Sequence, residues 1–325
     1  MRKRRAVALA AIALLAFVYA NNADRSTPEP GARATLLAHR GIAQRYDTSG
    51  MGPDTCTATR ILPPTHGYLE NTIASMRASF EAGADIVEID IHPTTDGQFA
   101  VFHDWTVDCR TEGKGVTREH TLAELKALDI GYGYTADGGR TYPFRGRGVG
   151  LMPSLTEVLE AFPRGRFLIN IKSRDAAEGA ALAAVLNGMP PARRADFMAY
   201  GGEEPMERLR QLAPDVRTLT RSDLKSCLLR YVATGWTGYV PEVCHGMLLM
   251  VPVNVAPWLW GWPGRFLARM QAAGSSAFLI GPYAGEGFST GIDTPEDIRR
   301  VPPGYAGGIW TNEIEAAARA FRPGS

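Results

Sequence analysis

The chain has 325 residues, 45% of them hydrophobic and 21% charged, with 35 Lys and Arg against 34 Asp and Glu for a formal charge of +1. This composition excludes a disordered chain and leaves enough length for a large core. It also excludes a global field that would draw the protein to nucleic acid, so any anion must be gripped locally.

The N-terminus carries a basic segment, Arg2-Lys3-Arg4-Arg5, then an apolar run over 6–20 with small residues near Ala20. That is the pattern of an export signal at 1–23, either cleaved or retained as a membrane anchor, and it implies a periplasmic or extracellular location. All four cysteines, Cys56, Cys109, Cys227 and Cys244, follow the signal and suit an oxidising compartment. Three pairings are open. Cys227 and Cys244 are close in sequence, and Cys56 and Cys109 fall in two loops expected at one end of the fold, which favours 56–109 and 227–244.

After a polar stretch at 21–33, short apolar runs recur at 35–39, 85–91, 166–172, 196–200, 216–220, 247–252, 277–281 and 308–312. Helical stretches alternate with them. Thr72 is placed to cap a helix with Ile73, Met76 and Phe80 on one stripe and Gly83 at its end. Thr121 with Glu124 and Ser154 with Glu157 read as capping boxes, and Thr294-Pro295 puts proline in a first helical turn. Strand–helix alternation predicts a parallel sheet covered on both faces, and this many units predicts a closed (β/α)8 TIM barrel in a single domain over 34–320. The long first loop, 42–69, reads as a tied-down flap over the barrel mouth.

The second apolar run holds the main chemical signal. Glu88 and Asp90 are two apart on a β-branched strand, so both side chains face the same way and can share a hard cation. Thr95-Asp96-Gly97 supplies hairpin turn chemistry, so the run 99–103 is expected to return antiparallel as an excursion after strand 2 and hang His103 near the carboxylates. The ends of the other runs carry His39-Arg40-Gly41, Asn170 and Lys172, and Trp310-Thr311-Asn312. In a barrel these ends converge on the catalytic face.

Taken in order, His39-Arg40-Gly41, Glu70-Asn71-Thr72, Glu88-Ile89-Asp90, Asp96-Gly97, His103-Asp104, the Met152 to Leu159 run and Gly308-Ile309-Trp310-Thr311-Asn312 resemble the glycerophosphodiester phosphodiesterase family. The resemblance implies a barrel hydrolase that uses one divalent cation, Mg2+ or Ca2+, to cleave glycerophosphodiesters to glycerol 3-phosphate and an alcohol. It matches His39 and His103 to the acid/base pair, Glu88 and Asp90 to the metal carboxylates, Arg40 to a phosphate contact and Glu70 to a residue supporting the site. One position departs from the pattern: Asn170 stands where the family usually has a glutamate. An amide oxygen can still bind the ion, without adding charge.

Lys172, on the same face as Asn170, is expected to hold a phosphate oxygen or pair with a metal carboxylate. Trp310 is expected to wall the site or belong to the core. His66, His120 and His245 have no partners at ligand spacing, His92 is read as facing away from Asp90, and none of the four is assigned chemistry. Trp258, Trp260 and Trp262 leave three readings open: a pocket for an acyl chain, a contact with a bilayer, or packing of the outer layer. The first two motivate a lysophospholipase D as an alternative activity. Asn170 motivates a second alternative, a barrel that binds phospholipid head groups without turnover.

Overall fold

Apolar runs with no polar face must be buried on both sides, and here they are buried side by side. The structure is a computed structural model that describes residues 2–24, 33–51, 55–285 and 290–322. Its strands are β1 Thr35–Ala38, β2 Ile86–Pro93, β3 Phe99–Val101, β4 Phe167–Ile171, β5 Phe197–Gly201, β6 Arg217–Leu219, β7 Leu248–Pro252, β8 Ser276–Ile280 and β9 Gly308–Thr311. The order β6-β5-β4-β2-β1-β9-β8-β7 is parallel throughout, and a parallel bridge between Thr218 and Met247 closes β6 onto β7. This is a nearly closed barrel of the expected class. β3 lies outside the wall, antiparallel on β2, after a turn in which Gly97 takes a positive φ of 76°. The hairpin excursion is therefore present.

Local chemistry sets the helix boundaries. Thr72, Thr121, Ser154 and Thr294 each accept from the backbone N–H three residues on, and in each case the side chain of that third residue bonds back to the cap. Gly83, with φ of 105°, follows the helix Ile73–Glu81, where a residue with a Cβ would be strained.

Two hydrophobic clusters fill the fold. The larger fills the space between the barrel and its helices. The smaller gathers Ala58 and Leu69 from the first long loop with Phe102, Val107, Ile130 and Phe144 from the segment that follows β3. The flap thus shares a core with the β3–β4 connection, the loop to which the cysteine pairing was expected to tie it. The Cys56–Cys109 disulfide ties these two loops together, and Cys227–Cys244 ties the helix Arg221–Thr234 to the turn before β7. Both expected pairings are formed. Gly133 packs so closely on the Cys109 carbonyl that an added Cβ would lie 2.0 Å from its oxygen, which fixes glycine there.

The helix Arg2–Asn22 is long and apolar enough to cross a membrane. Its C-terminal end is anchored on the outer helical layer: Asn22 Nδ2 donates to the Trp236 carbonyl at 2.8 Å and Asn22 Oδ1 accepts from Arg269 Nη1 at 3.0 Å. The polar stretch that follows lies, over 25–32, outside the described residues. The tryptophan cluster divides between its readings. Trp262 packs against Phe266 and Tyr305, the Trp260 indole donates to the Val232 carbonyl, and Trp258 is 80% exposed.

The Cys56–Cys109 bridge closes a loop with a sequence separation of 53. Replacing both cysteines with alanine should cost about 2–4 kcal/mol of stability. Urea unfolding of variant and parent checks this, and equal midpoints would show that the bridge does not constrain the unfolded chain.

Candidate active site

Register explains why distant residues share one floor. Asp90 on β2 is the cross-strand partner of Asn170 on β4, which is the partner of Tyr200 on β5. Partners on adjacent parallel strands point the same way, so all three enter the barrel interior at one level. Glu88 lies one pleat below Asp90 on the same face. Both carboxylates are fully buried.

His39 follows β1 and His103 follows β3, and both line a cavity of about 240 Å³ at the C-terminal mouth together with Arg40, Asn170, Lys172 and Trp310. The sequence-predicted residues are thus brought together. Glu70 lies beneath them, accepting from Arg40 Nη1 at 3.0 Å and pairing with Arg110 Nη1 at 3.1 Å. Lys172 Nζ is 3.5 Å from Asp90 Oδ1, so the ion-pair reading of that lysine holds. Arg40 Nε lies 3.2 Å from Asp90 Oδ2 without the alignment of a hydrogen bond. Trp310 packs its ring 4.8 Å from His39, and its buried indole N–H has no hydrogen-bond partner among the described residues.

The partners of the two imidazoles fix their tautomers. Asn312 Nδ2 donates to Asp293 Oδ2 at 2.7 Å, which turns the amide oxygen toward His39 Nδ1, also at 2.7 Å. Nδ1 therefore carries the proton, and Nε2, 3.8 Å from Glu88 Oε2, is left as a base. His103 Nδ1 lies 2.6 Å from Asp104 Oδ1, and Asp104 in turn accepts from Arg110 Nε at 2.8 Å. A carboxylate behind an imidazole favours its protonated form, whereas a neutral amide does so much less.

Burial and the neighbouring Arg40 push His39 down to about 3, so it stays neutral. The same two causes lower His103, with Asp90 and Asp104 pulling the other way. Burial and the adjacent Asp90 push Glu88 up to about 8. Burial also disfavours charge on Asp90, but Lys172 and Arg40 outweigh it and hold that carboxyl well below the usual range.

Arg40 and Asn71 both adopt φ of 58°, a left-handed conformation that costs non-glycine residues on the order of 1–3 kcal/mol. In this conformation each directs a polar group at a buried carboxylate. The Arg40 N–H donates to Glu88 Oε2 at 3.1 Å, and Asn71 Nδ2 donates to Asp90 Oδ2 at 3.0 Å. Tyr200 adds its hydroxyl to Glu88 Oε1 at 2.7 Å.

A hard cation fits this donor set. Glu70, Asp90 and Asp104 each have an arginine or lysine partner, and Glu88 has none among the described residues. Glu88 and Asp90 offer oxygens, and Asn170, whose Nδ2 now donates to Asp90 Oδ1 at 2.8 Å, would offer its own by turning its amide. Among the described residues no group of three or more His, Cys, Asp or Glu is arranged to hold an ion.

Reading the sequence had assigned no role to Asn71, Asp104, Asn312, Tyr200, Arg110 or Asp293. The first three stand inside the motifs quoted above, and Tyr200 ends an apolar run, so each left a signal. Arg110 and Asp293 left none.

Residues 39–186 match the model of the Glycerophosphoryl diester phosphodiesterase family. A glycerophosphodiester phosphodiesterase of Caldanaerobacter subterraneus subsp. tengcongensis is 40% identical over 105 residues, 32% of this chain and 39% of that protein. One of Bacillus subtilis is 37% identical over 129 residues, 37% of this chain and 43% of that protein. The matched stretch thus spans about two fifths of these relatives. Among solved structures, a glycerophosphodiester phosphodiesterase of Agrobacterium tumefaciens str. C58 superposes with a TM-score of 0.56 at 21% identity, covering 88% of this chain and 99% of that one. An Oleispira antarctica phosphodiesterase, solved in complex with the product sn-glycerol-3-phosphate, gives 0.53 at 18% identity, covering 90% and 98%. Over 39–186 the sequence thus resembles the glycerophosphodiester phosphodiesterase family, and the barrel is one that solved structures of that family share.

Proposed function

We propose that this chain hydrolyses glycerophosphodiesters to glycerol 3-phosphate and an alcohol, with His39 and His103 as the acid/base pair and a divalent cation, Mg2+ or Ca2+, on Glu88, Asp90 and Asn170. The observation that carries this reading is that both imidazoles reach one cavity with Nδ1 tied back, over a floor holding two buried carboxylates. The relatives' activity and the product held by the Oleispira protein support the choice of substrate. When bound, the cation supplies positive charge to a non-bridging phosphate oxygen.

His39 is the base. With Nδ1 tied to the Asn312 amide oxygen, its free Nε2 takes the proton of the attacking hydroxyl as the new oxygen–phosphorus bond forms. His103 is the acid, because Asp104 supports its protonated form, and it returns a proton to the departing alkoxide as the old bond breaks. Lys172 and Trp310 line the same cavity, where Lys172 acts as a donor to a phosphate oxygen and the Trp310 ring walls the site. The two disulfides and the apolar N-terminal helix support a location outside the cytoplasm.

His103→Ala should lower kcat on glycerophosphocholine by about 10²- to 10⁴-fold. Its circular dichroism spectrum should not change, because His103 follows a strand that lies outside the barrel wall. Turnover equal to the parent's would remove His103 from the mechanism. Asn170→Glu should tighten Mg2+ or Ca2+ binding in isothermal titration calorimetry by adding a charged donor to the set. An unchanged isotherm would exclude that side chain from the ligands.

A further inference from the structure

The cavity at the barrel mouth has two halves, and the phosphodiester chemistry uses only one. His39, Arg40, His103, Asn170 and Lys172 form the charged half, on the β1 to β4 side. Leu219, Leu224, Met250 and Ile280, from β6 to β8 and the helix that follows β6, form with Thr220 and Arg221 a mainly apolar other half.

The apolar half does not end at the barrel. Arg221 and Leu224 also line a second groove, of about 460 Å³, whose remaining walls are Lys225, Leu228, Leu229, Pro252, Val255 and Tyr283. Positions 221, 224, 225, 228 and 229 follow helical spacing, so one stripe of the helix Arg221–Thr234 runs from the site to the outer rim. At the rim, Leu229 is 62% exposed. Close by are the exposed Val232 and Trp258, and the helix ends beside Trp236, where the apolar N-terminal helix is anchored. The helix that lines the groove is thus also the one whose following turn holds the apolar N-terminal helix.

We propose that this groove holds the single apolar chain of a phosphodiester whose glycerol is acylated, so that a lysophospholipid is a better substrate than the chainless diester. The phosphate then rests among the cationic side chains, and the chain passes Leu224 and lies along Leu228 and Leu229. The inference rests on the phosphodiesterase reading, since the bond broken is the same one: the phosphorus–oxygen bond to the head-group alcohol. Water supplies the oxygen kept by phosphorus, and the alcohol leaves with a proton. A chain bound this way contributes affinity through apolar burial, up to about fourfold per fully buried methylene.

The test is choline release by the full chain with Mg2+ or Ca2+ from glycerophosphocholine and from hexanoyl, octanoyl and decanoyl lysophosphatidylcholine, all as monomers below micelle formation. The expected result is kcat/KM rising by roughly twofold or more per methylene from the chainless substrate upward. Leu229→Asp, at an exposed position that folding tolerates, should lower the ratio of decanoyl to chainless kcat/KM at least tenfold. Glycerophosphocholine turnover with no dependence on chain length would overturn the groove and leave the phosphodiesterase reading intact. Cleavage of the acylated diesters alone would support the groove in its strongest form. Cleavage of none of them would overturn both readings.

Discussion

Glu70, Glu88, Asp90 and Asp104 lie, largely buried, with Arg40, Arg110 and Lys172 in the barrel mouth and the loops beside it, and the rest of the site depends on how these charges interlock. An isolated buried carboxylate is too costly to keep charged, so each must be paired or neutralised. Arg110 is the central link. Completely surrounded by protein, it reaches Asp104 and Glu70 at once, and Glu70 passes to Arg40, which passes to Asp90. His103 and the acidic pair are thereby placed by one continuous chain of charges. Removing one member of such a network leaves its neighbours uncompensated, typically at a cost of about 3–5 kcal/mol.

That network explains features which look unrelated. Cys109 adjoins Arg110, and Cys56 adjoins Thr57, whose hydroxyl accepts from Arg110 Nη2 at 2.7 Å. The disulfide therefore joins the backbone on both sides of the arginine's second anchor. The smaller hydrophobic core beneath these loops keeps water from the same pairs. Left-handed backbone at Arg40 and Asn71 belongs here too, since both residues aim polar groups at Glu88 and Asp90.

The imidazoles differ because their supports differ. His39 rests on an amide that Asp293 orients, and it is buried beside Arg40. His103 rests on a carboxylate, with a quarter of its side chain open to the cavity. Two histidines of the same intrinsic basicity are thus given different supports and different exposure by their surroundings alone. Across the cavity the wall turns apolar, and the same stripe of helix that begins at the site leads outward to the rim.

By itself the sequence determined the barrel, its hairpin excursion and the main chemical groups, because each follows from local rules. Apolar runs bounded by capping residues mark strands and helices, and period-2 alternation puts Glu88 beside Asp90 without knowledge of any neighbour. Tertiary structure alone decided which tautomer His39 adopts, since its partner Asn312 is 273 positions away, and which carboxylate lacks a cation. It also decided that Tyr200 meets Glu88 and that the Leu224 stripe continues the active-site wall. These depend on barrel closure and strand register, which bring together residues that no short-range pattern connects. Arg110 shows the limit most clearly: Asp104 is only six residues away, but Glu70 and Thr57 come from the first long loop, which meets this segment only once the fold has formed.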